Sequence, residues 1–77
     1  MPSPEDISNQ RERLQIHRRN LAHLLHQQAK CSSDYVPLMI INGILEQRAN
    51  IARIKAILGS WGAPATDHPD DEPPTFS

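Results

Sequence analysis

Residues 37–60 constrain the fold most, because they carry two apolar stripes at helical spacing. At about 100° per residue, Ile40, Ile44, Ile51, Ile54 and Leu58 share one side of a helix, with Ile57 and Trp61 at its edge. Leu38, Ile41, Leu45, Ala49, Ala52 and Ala56 form a second stripe, roughly 120–160° away. A helix on the surface of a globular protein has a single apolar stripe. A helix with two needs neighbours on two sides.

One neighbour is supplied by residues 4–30. Ser3 can cap this helix and Pro4 suits its first position. Glu5 and Asp6 favour the positive end of the dipole, and Ser3 with Asp6 approximates a capping box. No Gly or Pro interrupts residues 10–30, and Ile7, Leu14, Leu21 and Leu25 fall on one stripe, with Leu24 and Ala29 at its borders. Ile16 lies nearly opposite.

Residues 31–36 read as a turn: Ser32, Ser33 and Asp34 are turn formers, and Val36 is held out of helical geometry by the proline after it. Pro37 then opens the second helix. Gly59, Gly62 and Pro64 stop it near residue 60, with Arg53 and Lys55 towards its negative end. So short a turn between long helices favours an antiparallel hairpin. The expected fold is all-α, with residues 1–62 as the hairpin domain.

Residues 63–77 differ in kind. Four prolines and four acids among fifteen residues predict a disordered acidic, Pro-rich tail or linker. Charge divides the same way. Residues 1–62 hold eight basic and five acidic residues, a net of +3, and the tail holds four acids and no base, a net of −4.

Helix 1 can cover just one stripe of helix 2, and sequence alone leaves open which one. With the isoleucine stripe inside, the core is Leu14, Leu21, Leu25, Ile40, Ile44, Ile51, Ile54 and Leu58. The leftover stripe is then the expected interface: Leu38, Ile41, Leu45, Ala49 and Ala52. Its alanines, with Gly43 nearby, would let helix backbones approach closely. Two hairpins pairing through helix 2 would bury this stripe in a coiled-coil-like four-helix bundle. A chain of 77 residues with a single cysteine, Cys31, has no intrachain disulfide to make up for a thin core. A partner chain is the remaining support. The expected partner is a second copy, as a homodimer, or a matching helical module of another protein.

Other chemistry is poorly supplied. His23 and His26 share a face of helix 1, but no carboxylate joins them, and His17 and His68 are remote, so no metal site is expected. Cys31 lies in a polar turn without a nucleophile motif, and Glu46 has no second carboxylate for acid–base work. Gly-rich phosphate loops are absent. Neither an enzyme nor a bound cofactor is expected. Arg11, Arg13, Arg18 and Arg19 make a nucleic-acid-binding or antitoxin-like helical protein the alternative. They point to different sides, however, and the net charge is modest, so a solvated face is the preferred reading. No apolar run approaches the ~18 residues of a membrane span, and the Pro2-Ser3-Pro4 start followed by acids is unlike a secretory signal. With one unpaired cysteine, a cytoplasmic setting is expected.

The run Leu21-Ala-His-Leu-Leu-His-Gln-Gln-Ala-Lys30 is followed by Tyr35-Val-Pro-Leu38, Asn42-Gly-Ile44, Arg48, Ile51-Ala-Arg-Ile54 and Leu58. Over residues 11–60 this pattern resembles the helical-hairpin effector-associated adaptor modules of bacterial signalling and conflict proteins. Such modules accompany STAND NTPases, caspase-like peptidases and TIR proteins. Cys31-Ser-Ser stands where Gly or Tyr is more usual in them, and Gly43 at a position often acidic. The resemblance implies a module that joins an effector to a matching module by like-with-like contact. It also implies that the acidic tail leads to a further domain.

Overall fold

The computed structural model describes residues 2–32 and 34–72. Two helices, α1 (Pro4–Lys30) and α2 (Leu38–Ser60), account for most of them, and no strand occurs among the described residues. The pairing is antiparallel: His17 Nδ1 donates to Gln47 Oε1 at 2.7 Å, and further along α1 Leu24 lies against Gly43.

Local chemistry sets both ends of α1. Asp6 N–H donates to Ser3 Oγ (3.1 Å) and Ser3 N–H donates to Asp6 Oδ2 (3.0 Å), a reciprocal capping box that satisfies two otherwise free donors. At the other end Cys31 turns extended, its N–H on Gln28 O and its thiol on Gln27 O. Tyr35 N–H then closes a turn onto Ser32 O. Pro37, expected as the first helical residue, stands one place earlier as the N-cap. Its ψ of 137° keeps it extended, and its carbonyl accepts from Ile40 and Ile41.

α2 ends in a Schellman motif. Ala63 N–H donates to Leu58 O (2.9 Å), Gly62 N–H donates to Gly59 O (3.1 Å), and Gly62 adopts φ +74°. A left-handed residue here costs glycine nothing and reverses the chain against the hairpin.

The isoleucine stripe faces α1. Leu14, Leu21, Ile44, Ile51, Ile54 and Leu58 form the buried core, with Ile7, Leu24, Leu25, Ile40, Trp61 and Ala65 partly buried against it. Among the described residues six apolar side chains are buried, a thin core for a chain of this length. Gly43 lies under Leu24, where a Cβ would come within 3.1 Å of a Leu24 methyl. Its smallness therefore serves the α1–α2 contact and not, as its position near the alanines suggested, the outer stripe.

Residues 63–72 depart from the disordered tail expected of them. After Gly62 they run back along the hairpin and end in a 3₁₀ turn, Pro69–Asp71. Three causes offset the ordering entropy that composition alone makes prohibitive. Ala65 joins the core, the acids meet cations of the hairpin, and Pro64 and Pro69 restrict the unfolded segment. Residues 73–77 lie outside the described residues, and the tail expectation for them lies there too.

Candidate interaction surface

Two features of the hairpin are unusual in a small protein, an exposed apolar stripe and a buried carboxylate. The first is the outer stripe of α2. Leu38 is 69% exposed and Leu45 60%, with Ile41 exposed between them and Ala49, Ala52 and Ala56 continuing the row. Met39, at 83%, and Tyr35 border the Leu38 end. All five expected interface residues, Leu38, Ile41, Leu45, Ala49 and Ala52, are thus brought onto one exposed face, large apolar groups at one end and small ones at the other. Ile16 is also exposed, but stands alone on the far side of α1.

The second surface is the groove where residues 66–72 lie. Asp71 is only 5% exposed. Arg18 grips it with two bonds, Nε to Oδ1 at 3.0 Å and Nη2 to Oδ2 at 2.7 Å, and Lys55 Nζ reaches Oδ2 at 3.1 Å. The turn is closed internally as well: His68 N–H donates to Asp71 Oδ2, and Asp70 N–H donates to His68 Nδ1. Main-chain carbonyls complete the contact. Arg18 Nη2 donates to Thr66 O (2.7 Å) and Arg48 Nε to Asp70 O (3.1 Å). Lys55 also pairs with Asp67 at 2.6 Å, on a carboxylate 88% exposed.

Charge-assisted bonds outweigh desolvation here. Burial pushes the Asp71 carboxyl up, but the bonds from Arg18, Lys55 and the His68 amide hold it down at about 2. Lys55 is raised, first by its bond to Asp67, against its own burial, and then by Asp71.

No family model, curated protein or solved structure matches the chain. His23 and His26 are both exposed, and no group of three or more His, Cys, Asp or Glu side chains among the described residues is placed to hold a metal. Arg18 is drawn out of the arginine group on α1 into the groove, and Arg11, Arg13 and Arg19 remain exposed. No described helix is long and apolar enough to cross a membrane.

Sequence reasoning missed the Arg18–Arg48–Lys55 groove. The signal was the division between a +3 body and a −4 tail, which marks complementary partners as readily as a solvated linker.

Proposed function

We propose that this chain is a non-enzymatic protein–protein interaction module that self-associates through the outer stripe of α2. Two hairpins would lay these stripes together as a dimeric four-helix bundle. In that form the chain acts as a homotypic adaptor in a bacterial signalling or defence system, in the cytoplasm, where its one free thiol stays reduced.

The exposed row Leu38–Ile41–Leu45 carries the reading. Apolar side chains of this size, adjacent on one rigid helix, form a contiguous patch of the kind that marks an interface. The adaptor role rests on the hairpin pattern of residues 11–60.

Sedimentation of the purified chain tests association. At micromolar concentration we expect a dimer or larger. Leu45→Asp places an unpaired carboxylate at the centre of the stripe in each protomer, at several kcal/mol apiece, and is expected to leave a monomer. Glu46→Arg, one residue away and off both stripes, is expected to remain associated. A wild-type chain that is monomeric throughout the range would overturn self-association.

A further inference from the structure

The clamp on residues 66–72 divides cleanly by charge. Every cation in it belongs to the hairpin: Arg18 from α1, and Arg48 and Lys55, one heptad apart, from α2. Every anion belongs to the returning segment: Asp67 and Asp71, with the Thr66 and Asp70 carbonyls as further acceptors. The receptor is therefore complete without its occupant. Its floor is Ile51 and Ala52, which line the hollow beside Lys55 together with Asp71 and Glu72.

The occupant is held by few features, and none demands this particular sequence. One buried carboxylate takes the Arg18 fork, and two carbonyls take one further bond each, from Arg18 Nη2 and Arg48 Nε. Of residues 66–72 only Asp71 is fully buried. Anchoring by apolar side chains comes earlier, at Ala65. A planar guanidinium fork recognises any carboxylate presented at the right depth.

We propose that the Arg18–Arg48–Lys55 groove is a docking site for acidic, turn-forming protein segments, occupied in cis by residues 66–72 until another such segment displaces them. The partner is a peptide with an Asp-rich turn introduced by proline, as in His68-Pro-Asp-Asp-Glu72. Tethering gives the cis occupant a high effective concentration, so a competing segment must bring more acids or a second contact. The groove shares only Ala52 with the outer stripe of α2, so the site stands whether or not the chain dimerises.

The test uses the full chain. Asp71→Lys opposes three cations and expels the cis segment. The probe is a labelled peptide of residues 63–72, blocked at both ends and followed by fluorescence anisotropy at low salt, with circular dichroism as the check on folding. The variant is expected to bind the peptide more tightly than wild type by about tenfold or more, and binding is expected to weaken as salt rises. Adding Arg18→Glu to the variant is expected to abolish it. Equal binding by wild type and Asp71→Lys overturns the proposal, as does binding that survives Arg18→Glu. Preference for a single-stranded oligonucleotide over the peptide overturns it in favour of a phosphate site. If Asp71→Lys loses helicity, excess unlabelled peptide is added to wild type under NMR. The Thr66–Glu72 amides are then expected to move to random-coil positions while those of Leu21 and Ile51 stay in place. No displacement at saturating peptide overturns the proposal.

Discussion

Asp71 decides whether the returning segment stays down, and its protonation gives the sign of an acid test. Its folded pKa, about 2, lies below its ordinary value, so the stabilisation is present above roughly pH 4 and is lost as pH falls towards 2. A depression of this size is worth about 2 kcal/mol. Lys55 has the opposite sign: raised in the fold, its contribution holds below its ordinary value and is lost only as pH climbs beyond it. At neutral pH Asp71 and Lys55 both keep their charge, and salt is the lever that loosens their pairing. Acid titration followed by amide shifts of residues 66–72 is therefore expected to show release between roughly pH 4 and 2 in wild type, and an already released segment in Asp71→Lys at neutral pH. A second residue-scale test separates two glycines inside α2. Nothing lies within 4 Å of a Cβ at Gly59, so Gly59→Ala is expected to stabilise by up to about 1 kcal/mol through helix propensity. At Gly43 the new methyl meets Leu24 at 3.1 Å. Leu24 is half-buried at the free end of a flexible side chain, so Gly43→Ala is expected to fall short of the Gly59→Ala gain. Denaturant melts of the two variants give the comparison, and an equal gain at both would mean that Leu24 yields without cost.

At the scale of elements, sequence made the helices legible because their ends are written in local chemistry. Ser3 and Asp6 form the capping box that their spacing suggests, and Gly62 with Pro64 marks the Schellman reversal. The choice between the two stripes of α2 was not legible, since both are apolar at the same period. Burial depends on which meets Leu14 and Leu21. The returning segment was illegible for another reason. Its composition is that of a solvated chain, and its order depends on Arg18, 53 residues away from Asp71, which no local pattern reveals. The contacts of residues 65–71 lead to a different expectation for that segment's removal. A disordered tail could be removed without effect, whereas ending the chain at Gly62 removes the roughly 2 kcal/mol of the Asp71 clamp and is expected to lower the melting temperature by roughly 8–16 °C, since about 1 kcal/mol shifts a domain of this size by 4–8 °C. Asp67→Ala removes only an exposed ion pair, of the kind worth little, and is expected to shift it by less than about 4 °C. Calorimetry of the two variants checks both, and an unchanged melt on truncation would restore the tail reading.

For the whole molecule the question is where the rest of its stability comes from. Six buried apolar side chains among the described residues and one ionic clamp serve a particle 49 × 28 × 15 Å across, with a radius of gyration of 14.3 Å. A compact chain of this length has about 11.5 Å. A hairpin this slender leaves much of α2 in water, and a second hairpin against Leu38, Ile41 and Leu45 would thicken the core across the two-fold axis. Association and folding are then one equilibrium, and mass action makes the melting temperature depend on concentration. A hundredfold rise in protein concentration adds about 2.7 kcal/mol to the dimer. For two chains unfolding together, at about 2–4 °C per kcal/mol, this moves the melt upward by roughly 5–10 °C. Leu45→Asp is expected to melt lower and at a temperature that no longer follows concentration, because its folded form is a single hairpin. Glu46→Arg keeps the wild-type slope. Truncation at Gly62 is expected to lower the melt while keeping that slope too, since the returning segment meets the stripe only at Ala52 and the large apolar residues Leu38, Ile41 and Leu45 stay in place. A flat melt for wild type across the hundredfold range would mean that the hairpin is stable alone, and would leave Leu38, Ile41 and Leu45 as a surface for a different protein.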